Sequence, residues 1–271
     1  MATALPVQRF VMLEVPGPWV PDVWAAAGLS LPVTSYLQDA VERARARIVL
    51  IRRPGRHPVA SGAARRWAVV ARSGAHWGTW HADTDLLSFD PAAELSRAID
   101  PAPIALVCTH GRHDVCCAIE GRPVVTVLTD DPAFDTWECS HLGGDRFAAN
   151  ILWLPMGWML GGVDASNAGA ITKAALGGRV LPGHFRGRCG DVPAAQAAQH
   201  LLMQHLGEDR PASIAVTTGR PDGLTWHVTH QGVTYRLVLE PFLTAPHHLT
   251  CRAPANARMR SYRLLALDIL G

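Results

Sequence analysis

Lysine is nearly absent from this chain: Lys173 is the one lysine among 25 basic residues, and the others are arginines. Together with the abundance of Ala, Gly and Pro, that bias reads as genome composition rather than a basic binding surface. Charge of either sign is sparse, at 18% of residues, and a net charge of +2 is too mild to argue for nucleic acid. Long apolar runs are missing too. The longest, 147–163, is broken by Pro155 and three glycines and is short for a membrane span. The first 21 residues hold no positive start followed by an apolar core and a cleavage site, so no secretory signal is expected. The chain is therefore expected to be soluble and cytoplasmic, with no membrane partner. Its six cysteines should then be reduced thiols or metal ligands rather than a disulfide framework.

Several chemistries are excluded by absent motifs. There is no Walker loop, no G-x-G-x-x-G dinucleotide fingerprint and no G-x-S-x-G elbow. No C-x-x-C pair is present for dithiol exchange, and the adjacent Cys116 and Cys117 have poor geometry for a disulfide. No paired-carboxylate site for glycoside hydrolysis can be identified.

What the chain does have is a concentration of soft ligands between 104 and 163, where four of the six cysteines lie. An apolar run at 104–107 leads into C-T-H-G-R-H-D-V-C-C at 108–117. A second, shorter one leads into C-S-H-L-G-G-D-R-F at 139–147. Each half is a strand feeding a polar, glycine-containing loop. Cys108 and Cys117 are separated by eight residues, too wide for a zinc knuckle. His141 and Asp145 flank Gly143 and Gly144, which permit a tight turn with both side chains on one side. A two-iron, two-sulfide cluster suits this layout better than a lone ion.

These residues resemble the sucrase/ferredoxin-like family, whose members look like thioredoxin-like [2Fe-2S] ferredoxins. The resemblance is carried by C-T-H-G-R at 108–112, V-C-C at 115–117, G-R-P at 121–123, S-H-L-G-G at 140–144 and R-F-A-A-N at 146–150. It is strong over the middle third of the chain and loose on the flanks. In the family's best-known form, two cysteines hold one iron and a His-x3-His pair the other. That implies Cys108, Cys117 and His141 as cluster ligands here. Asp145 stands in the slot of the second histidine, so the fourth ligand is Asp145 or, from elsewhere in the loop, Cys139; Asp145 is favoured because the loop needs no rearrangement. With one carboxylate, one imidazole and two thiolates the oxidised cluster would carry a charge of about −1, placing its potential between bis-histidine and all-cysteine types. The resemblance implies a one-electron carrier with a reductase and an acceptor as redox partner proteins. A cluster-dependent sensor or enzyme is the alternative, and a structural zinc protein a weaker one.

Blander roles are expected for the remaining candidates. Cys116, Cys189 and Cys251 read as small buried hydrophobes, and His110 and His113 as neighbours of the site or solvated loop residues. His247 and His248 near Cys251 lack a supporting fourth ligand.

The expected fold is α/β: a thioredoxin-like ferredoxin core at 101–187, preceded by an N-terminal α/β unit at 1–100 and followed by a small C-terminal α+β domain at 188–271. The N-terminal unit should contain strands at 9–15 and 48–51, a helix at 37–47, and a hairpin of 67–71 with 75–80. A short helix at 92–98 and a Pro-rich boundary at 100–103 lead to the core. There, a helix should begin near Cys116 or at Pro123, and 150–154 with 158–160 should form a hairpin that keeps water from the cluster. Helices are expected at 166–177, capped by Ser166 or Asn167, and at 193–206, with 183–190 a loop between them. Strands at 213–217, 224–229, 233–239 and 260–267 should finish the chain. Arg52, Arg53, Arg56, Arg65 and Arg66 form a basic cluster that could meet an acidic redox partner, though a solvated face is the simpler account.

Overall fold

The computed structural model describes residues 2–55, 63–99, 102–219, 223–251 and 253–270. Arg56, Asp100 and Pro101 lie outside the described residues. The first strand, β1 (Arg9–Glu14), is apolar and almost wholly buried. A single turn, α1 (Val23–Ala26), is capped by Asp22, whose carboxylate accepts from the Ala25 N–H. Helix α2 (Leu31–Arg43) starts six residues before the expected position, because Pro32 supplies a preset first turn after Ser30. Its apolar face of Val33, Leu37, Ala40 and Val41 is buried. β2 (Ala46–Arg52) then pairs parallel with β1, which makes a β-α-β unit. The expected hairpin is present as β3 (Arg65–Ala71) and β4 (Gly74–Trp80), laid antiparallel on β1. Helix α3 (Pro91–Leu95) packs over it.

A second β-α-β unit follows: β5 (Ile104–Cys108), α4 (Val115–Thr129) and β6 (Asp135–Cys139), with β5 and β6 parallel. Its carboxyl strand ends and the amino end of α4 meet at one edge, where α/β sheets usually bind ligands. Pro123 lies inside α4 rather than starting it. Gly121 shows why this helix sits so close to the strand: a Cβ there would be 2.3 Å from the Cys108 carbonyl oxygen. The expected hairpin is β7 (Ile151–Leu154) with β8 (Trp158–Leu160).

The stretch expected to be a loop at 183–190 contains a strand, β9 (Phe185–Arg188), paired with β8. F-R-G-R has no strand-like alternation, and only its neighbour makes it one. The described strands form two sheets. The larger has the order β4-β3-β1-β2-β6-β5-β7-β8-β9, with β2 and β6 antiparallel at the join. Strands from the first 100 residues and from the 101–187 stretch thus share one sheet in an α/β, thioredoxin-like fold. Helix α5 (Ala168–Leu176) begins after Asn167, but the Asn167 side chain does not cap it. Asp164 organises that turn instead, accepting from the N–H groups of Ser166 and Asn167.

Helix α6 (Pro193–Leu206) leads to a four-stranded antiparallel sheet of β10 (Ile214–Gly219), β11 (Thr225–His230), β12 (Val233–Leu243) and β13 (Arg260–Ile269). One apolar core joins both sheets: Val107, Ile151 and Trp153 belong to the same cluster as Ala198, Leu202, Trp226 and Leu237. No helix among the described residues is long and apolar enough to cross a membrane.

Candidate metal centre

Cys108 is the last residue of β5 and is held there by its N–H donating to the Asn150 carbonyl at 3.0 Å. Cys117 lies in the first turn of α4, an end fixed by Asp114, which accepts from the Cys116 N–H. Both thiols are buried. The second loop leaves β6 at Cys139 and presents His141, then turns through Gly143 and Gly144 to put Asp145 at the start of a short 3-10 helix, Asp145–Phe147. Gly144 has φ 78°, a left-handed backbone that admits glycine easily.

The structure brings the four sequence-predicted residues together. One donor atom each from Cys108, Cys117 and His141 lies within 4.8 Å of the others. The Asp145 Oδ1 is 3.1 Å from His141 Nδ1 and 3.5 Å from the Cys117 sulfur, which donates to it. The approach of Asp145 to His141 lacks hydrogen-bond geometry, so His141 Nδ1 is a buried nitrogen with no hydrogen bond. Cys139 is fully buried in the apolar core and belongs to none of the close donor groups among the described residues.

Burial and contact set the protonation of this set. The Cys117 thiol, by hydrogen bonding, holds Cys108 well below the ordinary thiol range, against the effect of burial and with help from His141. Cys117 is pushed up in turn, first by that same bond and then by burial. Burial raises the Asp145 carboxyl while His141 opposes the rise, and burial, with Cys108 and Glu138 adding to it, raises the Cys139 thiol.

The surroundings hold the second loop at several points. Arg47 Nη2 donates to the His141 carbonyl at 3.0 Å, Arg186 Nη1 to the Gly143 carbonyl at 3.0 Å, and Asn150 Nδ2 to the Gly144 carbonyl at 2.9 Å. His110 is buried, donates from Nε2 to the Val20 carbonyl at 2.9 Å and accepts the His141 N–H at Nδ1 at 3.3 Å. It thereby ties one ligand loop to the other as a neutral imidazole, its basicity lowered by burial. Thr109 donates to Glu138 at 2.8 Å, and Glu138 is ion-paired with Arg52.

Some of these roles are absent from the sequence pattern. The exposed His113 stacks on His141 with ring centroids 3.7 Å apart and forms a close donor group with His141 and Asp145. Arg47 and Arg186 reach the loop from positions remote in the chain, which no local motif could reveal. Cys251, expected to be a buried hydrophobe, is exposed. Its thiol contacts Asp114 and its N–H donates to Asp114 Oδ2 at 3.1 Å, close to Cys116. The reason is tertiary: the chain before β13 returns to the amino end of α4. His247 and His248 bond locally and do not join that group.

In the basic cluster, Arg52 pairs with Glu138 and Arg53 with Asp135, while Arg65 and Arg66 lie over Trp80 and Trp77. Much of its charge is therefore answered within the chain.

This geometry defines an α/β protein with Cys/His groups able to hold a metal at the carboxyl edge of its sheet. The sucrase/ferredoxin-like family matches residues 2–187, more than half of the chain, and the protein belongs to that family. Neither the curated proteins nor the solved structures yielded a match.

Proposed function

We propose that this protein carries a single [2Fe-2S] cluster held by Cys108, Cys117, His141 and Asp145, and that it transfers one electron at a time between a reductase and an acceptor protein. The observation that carries the proposal is the convergence of two thiols, an imidazole and a carboxylate: donor atoms of Cys108, Cys117 and His141 lie within 4.8 Å of one another, and Asp145 Oδ1 is 3.1 Å from His141 Nδ1 and 3.5 Å from the Cys117 sulfur. A buried imidazole nitrogen with no hydrogen bond fits a missing metal bond. When bound, the cluster supplies a reversible one-electron couple.

The chain's own residues account for the rest. Asp145 in the fourth position is favoured over Cys139 because it touches both Cys117 and His141, whereas Cys139 faces apolar neighbours. Arg47 and Arg186, both largely buried, set positive charge beside a centre whose oxidised charge would be about −1. Leu152, Leu154 and Met159 share a core cluster with Cys108 and Cys117, so one face of the β7–β8 hairpin keeps water away. The His141 side chain, at 18% exposed, is the most exposed of the four, the two thiols and Asp145 being buried. It opens on a cavity of about 390 Å³ lined by His110, His113 and Arg47, a suitable place for a partner to approach.

The test is chemical analysis of anaerobically purified protein. Iron and acid-labile sulfide in equal amounts, a visible charge-transfer spectrum and a reversible S = 1/2 signal on reduction are expected. Stoichiometric zinc without sulfide would reject the proposal. A redox sensor draws support from one observation, the meeting of Cys116 and Cys251 at Asp114. Loss of the cluster on mild oxidation, in place of reversible cycling, would favour it over the carrier.

A further inference from the structure

A cavity of about 470 Å³ lies between the Gly144 loop, the chain start and β13, within the size range of small-molecule sites. Three guanidiniums line it, those of Arg146, Arg186 and Arg260, together with Phe147, Tyr262 and Met259. No acidic side chain is among its lining residues. None of the three arginines takes part in an ion pair among the described residues.

Arg186 is the most telling of them. It is 2% exposed, and its hydrogen bonds go to neutral acceptors: the Thr3 hydroxyl and carbonyl, the Gly143 carbonyl and the Asn150 side chain. Among the described residues no carboxylate forms an ion pair with it, and Asp145, Cys108 and Cys189 nearby offset only part of the cost of burying its charge. Burial pushes its pKa down to about 10, and the neighbouring Arg146 adds to the fall, as expected of two like charges close together. Arg146 is no better matched. Its guanidinium lies 4.2 Å from the Phe147 ring centroid and touches the Met259 sulfur, and neither group neutralises it. Arg260 approaches from the first position of β13 and is exposed.

From this cavity we infer a binding site for a small phosphate monoester with an aromatic or apolar ester group. The guanidiniums of Arg146 and Arg260 match the acceptor oxygens of a phosphate, Arg186 behind them adds positive charge although most of its N–H groups are taken, and the side chains of Phe147, Tyr262 and Met259 form an apolar wall for the ester group. A carboxylate would answer less of the positive charge.

None of the lining residues is a proposed metal ligand, so the site is tested on the purified full chain both with and without its metal. Phenyl phosphate, inorganic phosphate and benzoate are titrated by calorimetry. Saturable binding is expected for phenyl phosphate, tighter than for inorganic phosphate or benzoate and weakened by salt. Arg146→Gln and Arg260→Gln should each weaken it by about tenfold, which corresponds to about 1.4 kcal/mol. Arg260 is exposed at a strand end, so its variant keeps the fold even if Arg146→Gln does not, and circular dichroism verifies this. No saturation with phenyl phosphate, tighter binding of benzoate, or an affinity untouched by Arg260→Gln would each overturn the inference. Iron and sulfide content is measured on the same samples, so a failure of the cluster proposal is seen separately.

Discussion

Asp145 is the residue on which the metal proposal turns. It is buried, and it contacts both Cys117 and His141. Asp145→Ala is expected to bleach or destabilise the centre, whereas Cys139→Ala leaves the visible spectrum nearly intact; iron content and absorbance after anaerobic purification measure both. The opposite pattern would move the fourth ligand to Cys139. Asp145→His should keep the centre and raise its potential, because a neutral imidazole replaces an anion. Far from the site, His200 on α6 is held at a pKa of about 4 by burial. Between that value and its unfolded pKa near ~6.5 the unfolded chain binds the extra proton, so its neutral form contributes stability above this window that is lost as pH falls through it. The loss should be on the order of 1–2 kcal/mol after solvent screening. Urea unfolding at pH 7 and pH 4 should show a smaller pH effect in His200→Gln.

At the scale of elements, the spacing of Cys108 and Cys117 becomes a contact only because α4 lies against the end of β5. Gly121 permits that approach, since a methyl group there would run into the Cys108 carbonyl, which is backbone and cannot swing aside. Gly121→Ala should therefore cost about 1–3 kcal/mol in thermal unfolding and lower the iron bound per chain, as α4 is levered off the strand. An unchanged iron content would show that the helix can shift without moving Cys117. The motif around Gly121 was visible in the amino-acid order, but its purpose was not, because the atom it makes room for is 13 positions away in the chain.

Taken whole, the molecule is bound together by a core that runs from the large sheet through α6 into the four-stranded sheet. Leu237 on β12 is fully buried there. Leu237→Ala should destabilise the protein by about 2–5 kcal/mol, and far-UV circular dichroism and the visible absorbance of the centre should then melt in one coincident transition. Separate transitions would mean that the four-stranded sheet folds apart from the metal-bearing part.

Local order along the chain was enough to determine the hairpins at β3–β4 and β7–β8, the long amphipathic helices and the antiparallel run of β10 to β13. Those features depend on periodicity and turn residues, which act over a few positions. Tertiary structure alone decided that F-R-G-R at 185–188 is a strand, since its hydrogen bonds come from β8. It likewise decided that Arg47 and Arg186 hold the His141 loop, that Cys251 meets Asp114, and that three arginines face one cavity. Each of these joins segments distant in sequence, and a charge or a hydrogen bond across such a distance leaves no mark on the neighbouring residues.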